Sequence, residues 1–263
     1  MSSPVEWRAL RLGRAAAEAL ASGEPARVFA AFGRSCYVET PAGIACIGDA
    51  RIGLGPLNVI VATPGAMPPV GTRIRVELRK ASRWVPRVRA PERRELTARQ
   101  MAAWRLGRPS EGLATMLDAP ECLAPRACRA AHAFLDWLAA GARDPAPRSA
   151  AALIGLGPGL TPAGDDFIGG ALIALRAAGR TGMADRAAAW ALARARRTNR
   201  ISAAHLACAA CGEGHEALHR LLASLRPRGR GFPAALDALD RIGHTSGRDA
   251  AAGALLALQV RHW

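Results

Sequence analysis

The sequence predicts an α+β protein, a small N-terminal antiparallel β domain, barrel-like, followed by a larger α-helical domain. Three observations carry this. Between residues 27 and 78, short β-rich runs alternate with glycine- and proline-marked turns. From about Thr97 onward, apolar residues recur at helical spacing. Between the two textures lies a charged, proline-punctuated stretch, residues 79–95. The division is therefore drawn at residues 1–95 for the β-rich domain and 96–263 for the helical one. A chain of 263 residues, 50% hydrophobic, can bury cores of that size.

Taken in order, residues 5–21 predict a leading helix, basic and amphipathic. Strands are expected at 28–32, 36–39, 44–47, 57–62 and 74–78, with turns at 41–43, 53–56, 64–65 and 68–71. That spacing suits a small antiparallel sheet or barrel. Residues 79–95 read as a linker or as an exposed strand continuing the sheet. Helices follow at 125–140, 165–178, 183–196, 202–211, 215–225, 233–241 and 246–260. The last opens with Ser246-x-x-Asp249, a capping-box-like start.

Composition narrows the function classes. No apolar run is long enough for a membrane span, and no secretory leader is recognisable, which predicts a cytoplasmic protein. The net charge is +15, yet Lys80 is the only lysine and the arginines are scattered. Nucleic-acid binding would call for basic clusters interleaved with aromatics, which make up only 5% here. The one basic run, residues 226–230, reads as a solvated interhelix loop, and a small anionic substrate accounts for the charge better than DNA does. Cys208-x-x-Cys211, Cys122 and Cys128 read as small apolar side chains on helix faces, a zinc site being the alternative. His215 and His219 have the i,i+4 spacing of metal ligands but no third ligand stands out.

Polar residues gather at three loop-to-helix junctions. The first is GLGPGLTPAGDDFIGG, residues 155–170. Its glycines permit positive φ and close approach of a ligand. The helix start beyond them offers N–H groups to an anion. Asp165 and Asp166 at that seat would repel a bare phosphate, so they suggest a metal, an amine or an amide as second partner. The second junction is RTNRIS, residues 197–202; the third is GHTSGRD, residues 243–249. Helix capping explains each one alone. Converged, they would present arginine forks, hydroxyls and carboxylates to one ligand. The glycine loop has neither the lysine of a Walker A motif nor the spacing of a dinucleotide fingerprint, so nucleotide chemistry of those kinds is disfavoured.

On these three segments, and loosely on Gly55-Pro56-Leu57-Asn58, the sequence resembles a bacterial family long filed as of unknown function, the oxamate carbamoyltransferase subunit AllH-like family. The resemblance implies a subunit of a multi-subunit enzyme of allantoin and purine catabolism that converts oxalurate and phosphate to oxamate and carbamoyl phosphate. Its partners would be an acyl-CoA-synthetase-like subunit and a second family-specific subunit. Placed on that chemistry, Gly157, Gly159 and Thr161 become the phosphate cradle, and Arg197, Arg200 or Arg248 the clamp for a carboxylate. Asp165 or Asp166 would act on the carbamoyl nitrogen or bind magnesium, the one cofactor considered. Asn199, Ser202, His244, Thr245 and Ser246 complete the expected substrate contacts. Two other classes stand beside this reading: a non-catalytic scaffold or binding subunit of such a complex, and a stand-alone metal-dependent phosphate or amide enzyme.

Overall fold

The computed structural model describes residues 3–62, 66–86, 89–90, 96–107, 110–143, 145–226 and 229–260. It divides into two compact units, Met1–Pro86 and Arg87–Trp263. The turn expected at 64–65 and parts of the stretches 79–95 and 226–230 lie outside the described residues.

The first unit is a six-stranded barrel with one extra strand. Its strands are β1 (Val5–Gly13), β2 (Ala26–Ala31), β3 (Ser35–Thr40), β4 (Gly43–Gly48), β5 (Asn58–Val61), β6 (Arg73–Glu77) and β7 (Ser82–Trp84), with helix α1 (Arg14–Ala19) after β1. The order β5-β4-β3-β2-β6-β1-β7 is closed by pairing of β5 with β1. The sheet is mixed rather than antiparallel as expected, because β1 runs parallel to β6 and β7, and β4 parallel to β5. Inward side chains, among them Val28, Val38, Ile47, Val59 and Ile74, fill the barrel.

The leading helix expected over 5–21 is instead a strand followed by a short helix. The cause is a register shift between Ala9 and Arg11, where β1 pairs with β5. The bulge exposes Leu10 and turns Leu12 inward, so the buried Ala9, Leu12 and Ala16 fall at the i, i+3, i+7 spacing of a helical stripe. α1 can follow at once because Gly13 lacks a side chain: a Cβ there would sit 2.1 Å from the Gly55 carbonyl oxygen.

The second unit is helical: α2 (Ala98–Leu106), α3 (Pro125–Ala139), α4 (Ala163–Ala177), α5 (Thr181–Leu192), α6 (Arg200–Ala210), α7 (Glu216–Ser224), α8 (Phe232–Leu239) and α9 (Ser246–Gln259). α2 carries a true capping box, with Thr97 and Gln100 bonding each other's backbone. Ser246 and Asp249 do not form one, since Ser246 lies inside α9 and Thr245 stands at its N-cap without a side-chain cap bond. Two centres organise the core. Phe134, Trp137 and Trp190 stack with ring centroids 5.3 to 6.3 Å apart. α4 and α9 cross backbone to backbone: a Cβ on Gly170 would lie 1.9 Å from the Ala250 carbonyl oxygen, and one on Gly253 1.9 Å from that of Phe167. Among the described residues no helix is long and apolar enough to cross a membrane.

Candidate functional site

The site grows from the loop that feeds α4. Gly155, Gly157 and Gly159 adopt φ of 73°, 108° and 96°, a region costly for any residue with a Cβ. Gly155 has a second constraint, since a Cβ would meet the Arg197 carbonyl oxygen at 2.5 Å, so the first and second junctions touch there. Gly164 is equally fixed by packing, its Cβ position falling 1.9 Å from the Leu153 carbonyl oxygen. The loop closes part of its own helix start: the Gly164 N–H donates to Leu156 O at 2.9 Å, and the Asp165 and Asp166 N–H groups donate to Pro162 O. Residues 157–160 stay exposed.

Asp165 is the knot of the arrangement. It is 3% exposed. Its Oδ1 accepts from the Gly155 N–H at 2.9 Å, and its Oδ2 accepts from the Thr198 hydroxyl at 2.5 Å and the Ser202 hydroxyl at 2.7 Å. One carboxylate thus binds the glycine loop, the RTNRIS loop and α6 together. Asn199 caps α6, its Oδ1 accepting from the Ile201 and Ser202 N–H groups, both at 3.0 Å.

Asp166 has the opposite surroundings. The third junction meets it: Thr161 Oγ1 and Ser246 Oγ lie 2.9 Å apart, and both hydroxyls lie beside the Asp166 carboxylate. Burial holds its pKa well above the ordinary carboxylate range, the Ser246 and Thr161 hydroxyls counter this, and the Asp249 and Asp165 charges add to it. Its Oδ2 has no hydrogen-bond partner.

Asp249 completes this corner and escaped the sequence reading, which treated it as part of a cap. It is fully buried. Its Oδ1 accepts from the Ala114 N–H at 3.0 Å, in a 3-10 turn at Gly112–Leu117, while its Oδ2 has no partner. Burial raises its pKa to about 6 against the pull of the Thr245 hydroxyl and the Ala114 and Leu113 amides. The available signal was spacing: Ser246 and Asp249 share one helical face.

The remaining expected residues fall in three places. Arg197 and Arg200 are exposed at the second junction. His244, also exposed, pairs through Nε2 with Glu111 Oε2 at 2.9 Å. Arg248 is drawn away from the corner: it is 4% exposed, its guanidinium forks onto Asp240 at 2.5 and 2.9 Å, donates to Trp104 O, and stacks over the Trp104 ring. His215 and His219 serve the backbone, accepting from the Ala217 and Gly214 N–H groups at 3.2 and 3.1 Å. All six cysteines are free thiols. Among the described residues, no three His, Cys, Asp or Glu side chains gather as a metal-ligand cluster.

The geometry therefore unites all three junctions around the start of α4, with hydroxyls and exposed arginines outside and two under-satisfied carboxylates within. No curated protein and no solved structure matches the chain. From the 3-10 turn that precedes the glycine loop to the last turn of α9, residues 153–258 match the family model described as oxamate carbamoyltransferase subunit AllH, so the stretch that holds all three junctions is similar to that family.

Proposed function

We propose that this protein is a subunit of an oxamate carbamoyltransferase-like complex and that the α4 junction handles oxalurate and phosphate. The observation that carries the reading is the convergence of the three polar junctions on Asp165, Asp166 and Ser246, all inside the segment similar to the family. In the reaction, a phosphate oxygen attacks the ureido carbon of oxalurate. The bond from that carbon to the inner nitrogen breaks, and the proton of the hydrogen phosphate passes to that nitrogen, leaving oxamate and carbamoyl phosphate.

The residues divide this work. Gly157 and Gly159 lie on the exposed lip where phosphate would sit, with the half-buried Thr161 behind them, and Arg197 and Arg200 offer planar forks to the oxalurate carboxylate. Asp166, facing Ser246 and Thr161, is the acidic group closest to the reacting atoms in this reading, and Asp165 positions the loops around it. Holding two bound substrates in line supplies much of the barrier reduction for such a transfer. In this reading the chain works with the partners that the resemblance implies, an acyl-CoA-synthetase-like subunit and a second family-specific subunit.

The test is phosphate-dependent oxalurate breakdown, assayed for the chain alone and co-expressed with those partners, with carbamoyl phosphate read out as ATP through carbamate kinase. Turnover is expected only in the complex. Full turnover by the single chain would favour a stand-alone enzyme, and none in any combination would overturn the reading.

A further inference from the structure

We propose that Cys128 and His132, on the first turns of α3, form a nucleophile–base pair that reacts with small anionic disulfides, making Cys128 a site of reversible S-thiolation. The pair lies outside the three junctions and stands or falls independently of the carbamoyl-transfer reading.

The two residues are four apart, which sets them on one face of α3, and Cys128 Sγ lies 3.4 Å from His132 Nδ1. Cys128 is half-buried and His132 is exposed, so the contact opens to solvent. Along it the thiol can hand its proton to Nδ1, and the thiolate rather than the thiol is the attacking species. The backbone favours the same charge. Cys128 closes the first turn of a 15-residue helix, its N–H donating to Ala124 O at 3.0 Å, and the N-cap Ala124 offers no side-chain bond to the leading amides. The dipoles at such a helix start stabilise a negative sulfur. Arg126 and Arg129 are exposed in the same stretch, and among the described residues neither is drawn into an ion pair.

The other five thiols lack this combination. Cys36 and Cys46 are buried on β3 and β4, where burial pushes them up to about 12 and about 11. Cys208 is buried too. Cys122 and Cys211 are exposed, but among the described residues neither has a hydrogen-bonded imidazole.

In the reaction, the Cys128 thiolate attacks one sulfur of the disulfide. A new S–S bond forms as the old one breaks, and the departing thiolate takes the proton that His132 holds, so one thiol is released per mixed disulfide formed. The disulfide is the only co-reactant, and a free thiol reverses the step. The two arginines favour carriers bearing carboxylates over those bearing amines.

The experiment exposes the full chain at low salt to oxidised glutathione, which is anionic, and separately to cystamine, which is cationic. Peptide mass spectrometry reads the site and rate of thiolation. Oxidised glutathione is expected to modify Cys128 about tenfold or more faster than Cys122 or Cys211 in the same molecules, and faster than cystamine modifies it. His132→Ala, a change at an exposed position, should lower the Cys128 rate about tenfold and leave Cys122 and Cys211 alone. Cys36, Cys46 and Cys208 stay unmodified while the chain is folded, so each sample reports its own integrity; His132→Gln takes the place of the alanine variant should they react. A Cys128 rate no greater than that of Cys122 and Cys211, or one unchanged in the folded His132 variant, would overturn the proposal. An equal or higher rate with cystamine would overturn the anionic class assigned to the disulfide.

Discussion

Asp165 and Asp166 are adjacent in the chain and differ in what surrounds them, so their substitutions should separate. Asp165→Asn puts an amide nitrogen where Gly155, Thr198 or Ser202 already donates. A stability loss of about 2–4 kcal/mol is expected, measured by chemical denaturation. Asp166→Asn removes a charge that burial disfavours and that Asp249 repels. Its melting temperature should hold or rise while turnover of the assembled complex falls about 100-fold or more. An Asp166→Asn protein with normal turnover would strip the residue of its role. His219 gives a third residue-scale test. It is buried, accepts from the Gly214 N–H, and has its pKa pushed down to about 4, chiefly by burial and then by His215. A depressed imidazole pKa means that the unfolded chain takes up the proton first. Stability is therefore full above the ordinary imidazole value near 6.5 and falls as pH drops from there toward 4. Between pH 7 and 5 this residue should cost about 2 kcal/mol, and His219→Gln should flatten that part of the denaturation-midpoint profile.

The elements show which parts of the fold the sequence announces. Helices α3 and α5 to α8 follow the 3.6-residue pattern, since each buries one face in a common core, while α4 and α9 are buried on nearly all sides and were legible as long apolar runs. β2 to β6 were legible because glycine and proline punctuate them. β1 was not, because its bulge reorders the inward positions into a helical rhythm. At the site, the glycines and the two adjacent aspartates stand out against an alanine-rich background. The meeting of Thr161 with Ser246 beside Asp166 does not, because it depends on how two distant helices cross. Arg248 looks like a free fork beside a helix start, and only the fold brings Asp240 and Trp104 around it. Arg248→Lys should lose the bidentate geometry and the stacking together, lowering stability by about 3 kcal/mol in urea titration. Gly170→Ala or Gly253→Ala forces a methyl group into a carbonyl oxygen and should cost roughly 3 kcal/mol, or prevent folding altogether. If either alanine variant melts with the wild type, the helix crossing is looser than described.

For the whole molecule, the +15 net charge invites a nucleic-acid reading that the distribution does not support. Several arginines are engaged in the fold: Arg176 with Asp185 and the Ala210 carbonyl, Arg186 with the Gly141 carbonyl, Arg248 with Asp240. Fluorescence anisotropy with duplex DNA should show no sub-micromolar binding at physiological salt; tight binding with a steep salt slope would contradict this.

The meeting of α4 and α9 through peptide groups also sets the stiffness of the corner. Helices separated by long side chains can slide as those side chains change rotamer, and such a joint behaves as a hinge. Here Gly170 rests on the Ala250 peptide and Gly253 on that of Phe167, with no side chain between them to rearrange. The spacing of Asp166, Ser246 and Asp249 is thereby gauged by main chain alone. A corner built in this way needs little reorganisation when charge develops inside it. The exposed lip at 157–160 lies outside that gauge.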